Sequence, residues 1–234
     1  MIDMATAKET PMSSLTVEEL LGRQLNDVEK KLAADRFYVS GSMHTPLPTP
    51  RVSIVGSRKA SPEGLSDTRR MTKILVEKEV VIVSGLAEGI DTAAHKTAIE
   101  AGGRTIAVLG TPLNETYPPK NLKLQQEIMH HHLAISQFPI GHNTTRKDFV
   151  IRNRTMALIS DATIIVEALE TSGSRHQGWE ALRLGRTVFI WKSILNKQLK
   201  WPGEMIQYGA IELSDPEDVF ESLPSSLEMP NILP

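Results

Sequence analysis

The sequence has no cysteine, so disulfide bonds and thiolate chemistry are excluded. It also has no GxG tripeptide and no GK[ST] tripeptide. The fingerprint of dinucleotide-binding domains and the phosphate loop of nucleotide hydrolases are therefore both missing. The spacing of metalloprotease motifs is missing too. We expect no cofactor, no metal ion, no catalytic residue and no turnover of ATP or nucleoside monophosphates.

The sequence also lacks a large excess of charge of either sign, and it lacks long apolar runs. The 234 residues carry a net charge of −2, and no apolar stretch is long enough to span a membrane. A site for an anionic ligand must therefore be a local basic cluster on an otherwise acidic surface. With no secretory signal visible, we expect a cytoplasmic protein that does not bind membranes.

The segment 51–91 contains two short β-branched runs separated by one amphipathic segment. The first run ends at Gly56 and the second ends at Ser84 and Gly85, which predicts a strand–helix–strand unit. Open α/β sheets bind ligands at such strand ends, and helix N-termini offer N–H groups to anions. The residues alone thus indicate a ligand that bears phosphate.

Strand and helix patterns alternate from Arg51 to Trp191, which predicts a doubly wound, mostly parallel sheet flanked by helices. We expect core strands near 52–55, 80–83, 104–109, 162–166 and 187–190, and shorter ones near 134–136 and 211. The loop 57–64 is expected to lead into a helix that ends near 78, and further helices are expected near 92–101, 122–131, 155–160 and 171–185. Asp91 is expected to cap the second of these helices.

We expect residues 1–50 to form a frayed tail to Ser14, one amphipathic helix from Leu15 to Ala34, and an edge strand at 37–39. Residues 51–223 form the main domain, and 224–234 form a second tail. The polar segment 137–154 is expected to be a long loop, of the kind that often carries function.

Two arginines, Arg152 and Arg154, flank Asn153 at the expected start of a helix, where the helix dipole disfavours positive charge. A bound phosphate would relieve that conflict, and an ion pair with an acidic neighbour would do so equally well. Lys147 adds charge, and Phe149 is either a base-stacking ring or a core residue.

Three further groups have competing interpretations. Gly173 and Ser174 follow the fifth core strand, and Glu180 beyond them is either an ordinary surface residue, which we favour, or a phosphoribohydrolase-like carboxylate. His95 is expected to pack locally rather than to catalyse. Consecutive histidines at 130–132 point in different directions on a helix, so they indicate a polar helix end rather than a metal site.

An ordered series of short motifs resembles the DNA-processing protein A (DprA/Smf) family. The motifs are IVGSR at 54–58, VSGLAEGIDTAAH at 83–95, GGRTIAVLG at 102–110, YPPKN at 117–121, SQFPIG at 136–141, RNRTMALIS at 152–160 and VEALETSGS at 166–174. The resemblance covers about residues 37–192. It implies a Rossmann-like fold without a nucleotide cofactor, binding of single-stranded DNA, a RecA-type recombinase as partner, and a homodimer.

By position, the resemblance implies that Gly56, Ser57 and Arg58 form the first phosphate-facing turn and that Ser84 and Gly85 form the second. It also implies that the segment 152–154 contacts DNA, and we expect Arg58, Arg152 and Arg154 to converge on one polar mouth.

The chain departs from the family pattern at Gln137, at Val150 and across 174–186. We also expect no winged-helix domain and only the helix from Leu15 in place of a larger N-terminal domain. Two alternatives to DNA binding therefore stay open: a nucleotide sensor or phosphoribohydrolase-like enzyme, and a protein-interaction scaffold.

Overall fold

Short apolar runs form one sheet in the computed structural model, which describes residues 12–224. The strands are β1 (Met12–Leu15), β2 (Phe37–Gly41), β3 (Arg51–Gly56), β4 (Val81–Ser84), β5 (Thr105–Leu109), β6 (Leu133–Ser136), β7 (Ala162–Glu167), β8 (Thr187–Trp191) and β9 (Ile211–Leu213). Their order across the sheet is β1-β2-β6-β5-β4-β3-β7-β8-β9. The two pairings that involve β2 are antiparallel, and every pairing from β6 to β9 is parallel.

The predicted α/β class is confirmed, and each of the five predicted core strands agrees with the structure to within one residue at each end. The helices are α1 (Val17–Leu21), α2 (Asp27–Leu32), α3 (Pro62–Glu77), α4 (Ile90–Glu100), α5 (Leu122–His131), α6 (Arg146–Ile159), α7 (Gly173–Arg183), α8 (Lys192–Leu195) and α9 (Trp201–Gln207). Short 3-10 turns lie at Pro119–Asn121 and Pro216–Ser222. Of the helices within 12–224, none has both the length and the apolar character needed to cross a bilayer.

Helices cover both faces of the sheet because its central strands are apolar on both sides. In β3, Val52 and Ile54 pack in one cluster with Met71 of α3. Val55 points to the opposite face, where it joins a cluster that contains Met156 of α6. The alternation follows from the two-residue period of a strand, and burial of each such side chain contributes about 1.5–3 kcal/mol.

The predicted single helix from Leu15 to Ala34 is wrong. Leu15 ends β1, and Gly22, in the left-handed region with φ of 67°, ends α1. The Asn26 side chain then accepts hydrogen bonds from the amides of Val28 and Glu29 and starts α2. The apolar spacing gave no sign of this break, which comes from turn and capping chemistry.

The N-terminal strands correct two further expectations. Residues 12–14 lie in β1 rather than in a frayed tail. Because β2 pairs on both sides, β1 and not β2 is the edge strand at this end of the described sheet. The remaining tail residues, 1–11 and 225–234, lie outside the described residues. The division of the chain at residue 50 stays a prediction.

The segment 137–154 is only partly a loop, since α6 begins at Arg146. Thr145 and Asp148 form a capping box there. Arg152 and Arg154 consequently lie in the middle of α6 and not at its start. The prediction that these two arginines oppose the helix dipole at a helix start is therefore wrong.

Candidate functional site

The strands β3 and β7 are neighbours from which the chain winds in opposite directions, towards β6 and towards β9. Open α/β sheets bind ligands outside the carboxyl ends of strands at such a switch point. A cavity of about 650 Å³ lies there. Its walls are the turn after β3 (Gly56 to Lys59), the segment after β7 (Leu169 to Ser174), one side of α6, and Tyr117.

The turn after β3 is held in place by its neighbours. The Ser57 carbonyl accepts a hydrogen bond of 3.2 Å from the amide of Ile90 at the start of α4. Gly89 has φ of 73°, and a Cβ there would collide with that carbonyl, so glycine is needed. On the other side, the Glu167 carboxylate accepts a hydrogen bond of 2.6 Å from the Ser61 hydroxyl. The backbone of Ser57 and Arg58 is thereby fixed at the cavity edge.

The charged residues of the cavity wall are mainly basic. Arg58, Lys59 and Arg146 are exposed, whereas Arg152 and Asp91 are buried. Four of these five charged residues are cations, although the chain as a whole has a net charge of −2. The local basic cluster required of an acidic chain is therefore present at the switch point.

Two aromatic rings complete this part of the wall. The rings of Tyr117 and Phe149 have centroids 5.0 Å apart, and the Arg58 guanidinium lies 5.8 Å from the Phe149 centroid. Phe149 is half-buried and also rests on Gly110, while Tyr117 is 49% exposed. Phe149 thus both packs and lines the cavity, and Tyr117 presents the more accessible ring.

Arg152 lines the cavity but is buried in its wall, and it does not reach a shared mouth with Arg154. Only 5% exposed, it donates hydrogen bonds to the carbonyls of Gly85 and Val108, the latter at 3.0 Å. Burial lowers the pKa of Arg152, and Asp91 opposes that effect. Burial likewise raises the pKa of the Asp91 carboxyl, opposed by the Arg152 charge. Arg152 and Asp91 therefore compensate each other's burial.

The second predicted turn, at Ser84 and Gly85, is a support for this pair. The Ser84 hydroxyl donates a hydrogen bond of 2.7 Å to the Ile54 carbonyl. Asp91 is not the expected helix cap, because Gly89 occupies that position. Its carboxylate instead accepts hydrogen bonds from the amides of Gly85 and Ala87, at 3.1 and 3.3 Å. Neither Ser84 nor Gly85 lines the cavity.

Arg154 departs from the expected convergence. Its guanidinium pairs with Glu180 of α7 at 3.3 Å, and Arg183 pairs with the same carboxylate at 3.1 Å. Glu180 is only 7% exposed, so its favoured assignment as a surface residue is wrong. Neither Arg154 nor Glu180 is among the cavity-lining residues. The ion-pair alternative thus applies to Arg154.

Asn153, Gly173 and Ser174 do line the cavity. The Asn153 amide donates to the Gly173 carbonyl at 3.3 Å, which joins α6 to the start of α7. The Ser172 hydroxyl accepts from the Leu169 amide and makes no hydrogen bond that caps α7. The Arg175 amide donates to the Ser172 carbonyl at 3.2 Å, whereas the amides of Gly173 and Ser174 have neither an intrahelical partner nor a side-chain cap among the described residues.

The remaining predicted groups lie elsewhere. Lys147 is exposed beside Arg146 but does not line the cavity. His95 packs locally as expected, with Nδ1 2.7 Å from the Thr105 hydroxyl, and burial lowers its pKa to about 3. His130 and His131 occupy the last turn of α5.

The sequence-based prediction missed Lys59, Tyr117 and the supporting role of Asp91. Lys59 follows the predicted turn directly, so its position was the available signal. Tyr117 opens the YPPKN motif but lies far from the turns in sequence. The carboxylate of Asp91 faces a turn that only the folded chain brings to it, and no sequence pattern reports that contact.

The structure thus has a Rossmann-like α/β fold with a cavity at its switch point whose charged residues are mainly basic. Comparison with known families makes this more specific: the chain belongs to the DNA recombination-mediator protein A family, whose model matches residues 21–224. The family resemblance read from the motifs is thus confirmed.

Curated relatives and solved structures agree with that membership. The chain is 41% identical over 174 residues to the DNA processing protein DprA of Streptococcus pneumoniae and 37% identical over 175 residues to that of Bacillus subtilis. These matches cover 74% of this chain and 61% and 59% of the two relatives, so the chain spans about three fifths of their length.

Among solved structures, the S. pneumoniae protein superposes with a TM-score of 0.76 at 33% identity, over 93% of this chain and 75% of that one. DNA processing protein A from Helicobacter pylori, whose structure is described in terms of its single-stranded DNA binding mode, gives 0.75 at 25% identity, over 91% and 95% of the two chains. A molybdenum cofactor binding protein from Rippkaea orientalis gives 0.55 at 18% identity over 74% and 94%, a likeness of fold alone.

Proposed function

We propose that the chain binds single-stranded DNA at the switch-point cavity and serves in DNA processing, either in recombination or in DNA uptake. The observation that carries the proposal is the concentration of four cations on the wall of one cavity in a chain of net charge −2. Family membership and the single-stranded DNA binding mode described for the H. pylori protein support the same function.

The residues have distinct proposed roles. Two segments of the cavity wall offer groups that bind phosphate, namely backbone N–H groups and a guanidinium. They are the turn at Gly56, Ser57 and Arg58 and the start of α7 at Gly173 and Ser174. Phe149 and Asn153 contact the nucleotides between them. We propose that Ser84 and Gly85 act through position, because their hydrogen bonds to Ile54 and Asp91 fix the turn after β4. Arg152 ties α6 to that turn and also lines the cavity. Lys147 and Arg154 lie outside the wall, and contact with DNA there stays a prediction for a strand that runs past the cavity.

We further propose that the chain turns over no nucleotide. The one carboxylate among the cavity-lining residues is Asp91, and it is occupied by two backbone amides. Glu180, the carboxylate of the enzymatic alternative, is paired with two arginines away from the wall. We also propose that the protein is a cytoplasmic homodimer that presents the bound single-stranded DNA to a RecA-type recombinase, as the family resemblance implies.

A titration tests the central part. Fluorescence anisotropy of a labelled oligo-dT is measured with the wild type, with Arg58→Ala, and with Arg69→Ala, an exposed arginine of α3 that does not line the cavity. Arg58→Ala should weaken binding while Arg69→Ala leaves it near the wild-type value. Equal losses in the two variants, or no binding by the wild type at low salt, would contradict the proposal.

A further inference from the structure

Contacts to a DNA backbone need only a groove, whereas this site has the volume of a small-molecule pocket. Its volume of about 650 Å³ lies within the roughly 300–1,000 Å³ of small-molecule sites. We propose that it accepts one nucleotide of the bound strand with the base inserted, so that binding depends on a base at that position. This inference rests on the proposed DNA binding and specifies what the site recognises.

The chemistry of the walls suits a nucleobase. Apolar surface lies on two sides: Tyr117 with Phe149 on one, and Leu169, which is 55% exposed, on the segment after β7. A base has an apolar face over which such side chains can pack, and stacking on aromatic rings tolerates any base. A site that took phosphate alone would have no use for these surfaces.

Two buried polar groups of the cavity wall lack hydrogen-bond partners among the described residues. Ser174 is 8% exposed and Arg152 is 5% exposed, and within residues 12–224 neither the Ser174 hydroxyl nor the Arg152 Nε has a hydrogen-bond partner. Both residues line the cavity. Buried polar atoms nearly always find a partner, and both of these groups can donate. A carbonyl oxygen on the edge of an inserted base is the matching acceptor.

The cation positions fit the same arrangement. Arg58 and Lys59 lie on the turn after β3, and Arg146 lies in the first turn of α6, so two elements of the wall carry exposed positive charge. The sugar-phosphate chain can then pass along exposed cations while one base enters. Backbone and base contacts thus use different atoms, and a substitution can separate them.

Gly173 provides that substitution. A Cβ built there meets no atom within 4 Å, and the residue lines the cavity. Gly173→Leu therefore takes up cavity volume while it keeps the backbone N–H and every cation. Gly203 in α9 is a matched control, since a Cβ there also meets nothing within 4 Å and the residue does not line the cavity.

The experiment compares a dT oligomer with an abasic deoxyribose-phosphate oligomer of equal length. The wild type and Gly203→Leu should bind the dT oligomer about 5- to 150-fold more tightly. In Gly173→Leu that ratio should fall towards one, with the salt dependence of binding retained. Ser174→Ala should lower the ratio in the same direction.

The outcomes are distinguishable. Wild-type binding of both oligomers with equal affinity would overturn base insertion and leave DNA binding standing. A ratio unchanged in Gly173→Leu, with its circular dichroism intact, would place base recognition outside the cavity and would also overturn the inference. Binding of neither oligomer by the wild type would instead defeat the proposed function itself.

Discussion

Replacement of Arg152 by alanine should destabilise the fold before it affects the surface of the site. The wild-type guanidinium donates to the carbonyls of Gly85 and Val108 and offsets the charge of buried Asp91. Its loss leaves two buried carbonyls without their donor and the Asp91 charge without its offset, and because each unsatisfied buried group costs about 1–3 kcal/mol, a loss of about 3–5 kcal/mol is expected. For a chain of this size that corresponds to a fall in Tm of roughly 6–20 °C.

Urea unfolding of the wild type, Arg152→Ala and Arg58→Ala measures this. Arg58 is exposed, so its loss should change the free energy of unfolding by no more than about 0.5 kcal/mol. Asp91→Asn in the Arg152→Ala background should recover part of the loss, because it removes the charge and keeps an oxygen that can accept from the Gly85 amide. An Arg152→Ala variant as stable as Arg58→Ala would refute the reasoning.

The same pair predicts a pH dependence. Because the pKa of Asp91 is raised in the folded state, the folded state binds more protons than the unfolded state above the ordinary pKa of 3.8. Loss of Arg152 removes the charge that restrains this rise, so the pKa of Asp91 rises further. The stability deficit of Arg152→Ala should therefore shrink as the pH falls from neutral. A deficit that grows on acidification would contradict the assigned compensation.

Three other substitutions separate stability from binding. Arg58→Ala should reduce the magnitude of the log–log salt slope of oligo-dT binding by about 0.7, and an unchanged slope would remove Arg58 from the phosphate path. Tyr117→Ala should weaken oligo-dT binding by about 1–3 kcal/mol with the salt slope unchanged, whereas a changed slope with unchanged base dependence would argue against stacking. Glu29 is fully buried against Arg23 and Arg186, and the Arg23 hydrogen bond contributes most to lowering its pKa from 4.5 to about 2. The ionised Glu29 carboxylate therefore stabilises the fold above about pH 4.5, and this stabilisation is lost as the pH falls towards 2. Glu29→Gln should lower the free energy of unfolding by about 2–3 kcal/mol at neutral pH. Equal stability of the wild type and Glu29→Gln at neutral pH would count against the ion pairs of Glu29 with Arg23 and Arg186.

The sheet could be predicted because its strands are short β-branched runs whose ends coincide with small turn residues. Val52 and Ile54 are buried on one face of β3 and Val55 on the other, as their alternation in the sequence predicts. The division of the N-terminal segment into α1 and α2 could not be predicted. The apolar spacing continues through Gly22 and Asn26, where backbone and capping preferences end one helix and start the next. Periodicity reports which face is buried and not where a helix stops.

The position of the cavity at the predicted strand ends could be anticipated from the sequence, but the contacts of the arginines could not. Arg58 follows a turn at a strand end, and local pattern locates it at the cavity. Arg152 and Arg154 are separated by one residue in α6, yet one is buried in the cavity wall and the other pairs with Glu180. Their partners come from β5, the turn after β4, and α7, so the difference depends on contacts distant in sequence.

The salt dependence of oligo-dT binding tests the central claim most directly. Anisotropy titrations over a series of salt concentrations compare the wild type with one triple variant. That variant combines Arg58→Ala, Lys59→Ala and Arg146→Ala. If these exposed cavity cations neutralise three phosphates, the magnitude of the log–log slope should fall by about 2. A combined variant that keeps its fold, its affinity and the full wild-type slope would show that single-stranded DNA does not bind at the switch-point cavity.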